Sequence, residues 1–123
     1  MKMFFALLVA FSAQALACDF NFPLRGVCGT VRWTQGPVLR TESVMEIEFT
    51  PAIDASQLIF DAWMTAHHHG TRPVSITVRE DGIVEISKLY FVMPGEWMLR
   101  ARLPLVDADG TSLLELSEMP VQL

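Results

Sequence analysis

The stretch GEWMLRARL, residues 95–103, constrains the fold more than any other part of the chain. Trp97, Leu99, Ala101 and Leu103 fall on one side of an extended backbone, and Met98, Arg100 and Arg102 on the other. A period of two is the mark of a strand with one face in a core and the other in water. The alternation recurs in VMEIEFT, where Met45, Ile47 and Phe49 oppose Val44, Glu46 and Glu48, and in SITVRE, where it predicts Ile76 and Val78 inward. Turn residues separate the runs at Gln35-Gly36-Pro37, Glu80-Asp81-Gly82, Pro94-Gly95 and Asp109-Gly110. Asp-Gly between alternating runs favours a tight hairpin, because glycine accepts the positive φ that the turn needs. The pattern predicts about seven short strands, at 27–33, 43–50, 57–64, 74–79, 83–92, 96–103 and 112–122, and no segment carries a helical stripe. The expected fold is all-β, an immunoglobulin-like sandwich of about seven short antiparallel strands. The Cys–Trp–Cys arrangement of antibody domains is missing from the sequence, so the likeness is one of architecture.

The first seventeen residues stand apart from this pattern. MKMFFALLVAFSAQALA has one lysine, then an apolar run broken by Ser12 and Gln14, then Ala15-Leu16-Ala17. Small residues at 15 and 17 fit the site that signal peptidase reads, and the run is shorter than the roughly 20 residues of a bilayer span. Residues 1–17 are therefore expected to be a cleaved secretory signal, with 18–123 forming one domain in the periplasm or outside the cell. The alternative is a retained N-terminal membrane helix.

Cleavage there makes Cys18 the first residue, with two uses open to it. ALAC loosely resembles the lipobox of bacterial lipoproteins, although an alanine stands where the usual leucine would be. Cys28 is the only other cysteine, and an even count in an exported chain points to a disulfide. A sulfur that carries a lipid thioether cannot also be oxidised, so lipid attachment and the disulfide are mutually exclusive. Without Lys2, eight Lys+Arg face fourteen Asp+Glu, a formal charge of −6. No basic cluster occurs, which argues against nucleic acid as a partner. The membrane is expected as a partner only through a lipid anchor at Cys18.

The chemistry-bearing residues concentrate in WMTAHHHGTRP, residues 63–73, which holds all three histidines of the chain. Neutral imidazole suits copper, zinc and nickel, whereas thioether sulfur selects Cu(I). Met64 lies beside His67, His68 and His69 in sequence, and Met93 precedes the Pro94-Gly95 turn. Loops at one end of a sandwich share space, so Met93 is expected to approach the histidines. Successive side chains of an extended backbone alternate in direction, which selects His67 and His69 as ligands with His68 outward or hydrogen-bonded. The other reading makes the histidines a solvated loop tip and the methionines core fillers, since methionine packs adaptably. Asp61 is the acid placed to orient a histidine from behind. Trp63 would shield the site or belong to the second sheet.

Residues 63–103 also resemble the small exported β-sandwich domains called YtkA-like, which are related to FixH-like domains. The matching parts are the Met-bearing strand end and His/Gly loop of MTAHHHGTRP, the EDG turn, and LYFVMPGEWMLRARL. The chain departs from the family where members carry a Met-Pro-x-Met run before the His-Gly, since Thr65 follows Met64 here. The resemblance implies an extracytoplasmic Ig-like sandwich associated with copper handling or respiratory oxidase assembly.

No Gly-rich phosphate loop and no G-x-S-x-G nucleophile motif occur in the sequence, and nothing supplies a nucleophile–base pair. The expectation is a non-enzyme: an exported metal-binding domain with copper as cofactor, serving as an accessory or delivering the ion to a copper-receiving protein. The alternative is an envelope structural or protein-interaction domain that binds a protein partner and no metal. A metalloenzyme with an open coordination position would need an acid or base that the sequence does not offer.

Overall fold

The computed structural model describes residues 18–123; the expected signal segment, 1–17, lies outside them. Nine strands form: β1 (Phe20–Phe22), β2 (Val27–Gln35), β3 (Glu42–Thr50), β4 (Ile59–Met64), β5 (His69–Gly70), β6 (Ser75–Val78), β7 (Val84–Tyr90), β8 (Glu96–Val106) and β9 (Ser112–Gln122). Two single 3-10 turns, Ala55–Gln57 and Thr65–His67, are the only helical pieces among the described residues. All seven expected strands are present. The two additional ones, β1 and β5, are three and two residues long. A period of two cannot declare itself over so short a run; these strands exist because neighbours hold them.

The strands make two antiparallel sheets, one of order β1-β2-β3-β7-β6 and one of order β5-β4-β8-β9. Strands β2, β3, β7 and β6 thus follow the A-B-E-D order of an immunoglobulin-type sandwich, and β4, β8 and β9 follow C-F-G. The fold is an all-β sandwich with that topology. The Cys18–Cys28 disulfide, with Cα atoms 5.3 Å apart, ties the start of the domain to β2. It consumes the sulfur that a lipid thioether at Cys18 would require.

The inward faces are those the alternation predicts. Met45, Ile47 and Phe49 of β3 and Trp97, Leu99, Ala101 and Leu103 of β8 are all buried. They interdigitate with Phe20, Phe22, Phe60, Ile86 and Phe91, and Phe91 meets Trp97 edge-on at 5.5 Å between ring centroids. Val78 departs from expectation, being 51% exposed. It ends β6, an edge strand with only β7 beside it, so cover from the opposite sheet is incomplete there. Glu46 also departs, being buried on the outward face of β3. Arg32 Nη2 lies 2.7 Å and Arg79 Nη1 2.5 Å from its carboxylate, and the arginines lie over it.

On the other edge, Glu115 of β9 is buried and joins the sheets. It accepts the Leu24 N–H at 2.7 Å and pairs with Arg25 Nε at 3.2 Å, while Arg25 Nη2 donates to the Pro104 carbonyl. Buried carboxylates need such partners, because charge transferred unpaired out of water is costly.

Candidate metal centre

One end of the sandwich is built from the loop between β4 and β5 and the link from β7 to β8. After Met64 the chain makes the 3-10 turn Thr65–His67, then reverses at His68, whose φ of 51° and ψ of 40° are left-handed. The His68 N–H donates to the Thr65 carbonyl at 3.3 Å, closing the turn. The reversal lays β5 back on β4 with Met64 opposite His69 and Trp63 opposite Gly70. Directly opposed residues of an antiparallel pair project to the same side, so His69 follows buried Met64 toward the interior. His67 and His68 stay exposed.

The second component arrives from β7. Leu39 and Phe91 form a parallel bridge, and the chain then turns through Met93, Pro94 and Gly95 into β8. Gly95 exchanges two main-chain hydrogen bonds with Leu123, at 2.8 and 3.0 Å, which fastens this turn to the C-terminal residue. A side chain at Gly95 would meet Met64 Cε at 2.8 Å, and its φ of +133° favours glycine. Trp97 Nε1 donates to the Met93 carbonyl at 3.0 Å, so the methionine is held by the residue that fills the core beneath it.

These two components converge. His69 Nε2 lies 3.0 Å from Met93 Sδ, and the His69 ring stands edge-on to Trp97 with centroids 5.6 Å apart. The His67 ring centroid is 6.0 Å from that of His69. An ion bound by imidazole nitrogen at about 2.0 Å and sulfur at about 2.3 Å in tetrahedral geometry separates the two donors by roughly 3.5 Å. Admitting one between His69 and Met93 therefore needs a side-chain adjustment of about half an ångström. In the same tetrahedral geometry two imidazoles on one ion place their centroids about 5 Å apart, so His67 must move roughly 1 Å closer to join the pair.

The remaining residues named from the sequence fall elsewhere. Met64 is 1% exposed and packs in the core below Gly95, a filler by position although it is opposite His69 in the ladder. His68 is exposed at the left-handed position. Asp61 does not orient a histidine. Its carboxylate takes Arg100 at 2.6 and 2.9 Å and Arg102 at 3.3 Å, because the three are cross-strand neighbours on the outward face of β4 and β8. That pairing raises the Arg100 pKa, chiefly through the hydrogen bond to Asp61. Trp63 belongs to the second sheet, its ring covered by the Arg100 guanidinium at 4.9 Å. Among the described residues no three His, Cys, Asp or Glu side chains converge on one point; the donor set that does converge is imidazole with thioether. The coupling of Trp97 to both His69 and Met93 was not legible in the sequence, where Trp97 reads only as core.

No protein family matches this chain, and neither a curated protein nor a solved structure shows detectable similarity to it.

Proposed function

We propose that this protein is an exported copper-binding accessory or delivery domain in which His69 and Met93 hold the ion and His67 completes the set. The observation that carries this reading is the 3.0 Å contact between His69 Nε2 and Met93 Sδ at one end of the sandwich. Imidazole with thioether favours Cu(I) over zinc, whose sites use thiolate, imidazole or carboxylate. A disulfide fits an oxidising compartment outside the cytoplasm. The resemblance of residues 63–103 to YtkA-like domains supports the same reading through those motifs alone. Ligands on two short loops at the surface suit transfer to a copper-receiving protein.

The test is a competition titration of the purified protein with Cu(I) and, separately, Cu(II), beside the variants His67→Ala/His69→Ala and Met93→Leu. One Cu(I) per chain is expected, weakened at least tenfold in both variants. Equal binding in wild type and variants would reduce the histidines to a loop tip. A second reading, an envelope interaction domain without metal, is favoured by Ile59, Leu114 and Leu116, which are exposed on the outward side of the four-stranded sheet.

A further inference from the structure

The arginines of this acidic chain divide into two groups. Arg25 pairs with Glu115, Arg32 and Arg79 with Glu46, and Arg100 and Arg102 with Asp61. Arg40 and Arg72 have no carboxylate within ion-pair distance among the described residues, although every Asp and Glu of the chain lies at position 19 or beyond. Both line a single cleft of about 320 Å³ whose other walls are Tyr90 and Val92. An isolated exposed arginine needs no partner. Two that converge from separate segments on one concavity repel each other until an anion lies between them.

The backbone holds this arrangement in place. Arg40 has a φ of 64°, a left-handed conformation uncommon for a residue with a long side chain, and one that persists only where its surroundings enforce it. Its N–H donates to the Phe91 carbonyl at 2.8 Å, next to the Leu39–Phe91 bridge. Glu42, opposite Tyr90 in the β3–β7 ladder, is not within ion-pair distance of either arginine; its carboxylate accepts the main-chain N–H of Lys88 at 2.9 Å. Tyr90 and Val92 add an aromatic ring, a hydroxyl donor and an aliphatic wall.

We infer that this cleft binds a small carboxylate with an apolar body. The carboxylate bridges the Arg40 and Arg72 guanidiniums, whose planar forks match its two oxygens, with the Tyr90 hydroxyl as a further donor. The apolar body lies against the Tyr90 ring and Val92. The volume is at the lower end of small-molecule pockets, roughly 300–1,000 Å³, larger than a bare inorganic ion requires. Two sources carry this chemistry: a free aromatic or aliphatic acid, and the C-terminal carboxylate of a peptide with an apolar last residue.

The test is calorimetric titration of the full chain at neutral pH and low salt with 3-phenylpropanoate, 3-phenylpropanamide, and N-acetylglycyl-phenylalanine with a free or an amidated C-terminus. Both acids are expected to saturate and both amides to bind at least tenfold more weakly. Arg40→Gln and Arg72→Gln should each weaken the acids roughly tenfold. Tighter binding of the dipeptide acid than of 3-phenylpropanoate assigns the cleft to peptide C-termini; the reverse assigns it to free acids. Equal binding of acids and amides, or no saturation at millimolar concentration, overturns the proposal, and the wild-type comparison decides it even where a variant folds poorly.

Discussion

Trp97 Nε1 donates a hydrogen bond to the Met93 carbonyl at 3.0 Å while its ring supports the His69 imidazole edge-on. One fully buried residue thus fixes both loops of the candidate metal centre, and the site's stiffness derives from core packing. Trp97→Phe keeps an aromatic ring but strands the Met93 carbonyl and leaves a void. Destabilisation of roughly 2–3 kcal/mol is expected in a urea denaturation midpoint, with Cu(I) affinity reduced although no donor atom has been removed. Unaltered affinity in folded variant protein would show that Met93 is positioned by something else.

Met64 and His68 provide the contrast. Met64→Leu conserves volume in the core and should cost less than about 1.5 kcal/mol, with the Cu(I) dissociation constant within twofold of wild type. A tenfold loss would bring the Met64 sulfur into the donor set. His68→Gly removes the penalty of a left-handed side-chain-bearing residue and should stabilise by up to about 1 kcal/mol. Thermal melts and the copper titration read both effects.

The Cys18–Cys28 bond closes a short loop that registers β1 on β2, with Asn21 opposite Cys28. Reduction, or replacement of both cysteines by serine, is expected to cost roughly 2–3 kcal/mol. The loss should appear as equal lowering of the denaturation midpoint by either route. A midpoint indifferent to reductant would mean that the β1–β2 ladder holds without the bond.

Asp54 gives a pH dependence with a definite sign. Hydrogen bonds from the Ser56 side chain and main-chain N–H, the latter 3.0 Å from Oδ1, hold its carboxyl below its ordinary value, while the slight desolvation opposes this. A lowered folded-state pKa contributes stability that is present above the unfolded value, about 3.9, and lost as pH falls through the folded value. The melting-temperature gap between wild type and Asp54→Ala should therefore be constant near neutrality and close in acid below about pH 4. A gap that persists there would assign the effect to the 3-10 turn's packing and not to the charge.

The period of two in residues 43–50 and 96–103 determined by itself which face of β3 and β8 is buried, because side-chain direction in a strand is a local property of the backbone. The Gly and Asp-Gly turns likewise marked where strands end, and the even cysteine count pointed to the disulfide. The tertiary structure alone decided the rest. β1 and β5 are too short to carry a period and exist through their ladders with β2 and β4. Asp61 pairs with Arg100 and Arg102, and not with a histidine, because the β4–β8 register sets them side by side. Met93 was expected near the histidines, but only the tertiary structure decided that His69, twenty-four residues away, is the one it meets, and it alone brought Arg40 and Arg72 to one cleft. Contacts between loops depend on which ends of which strands share an end of the sandwich, and no local spacing encodes that.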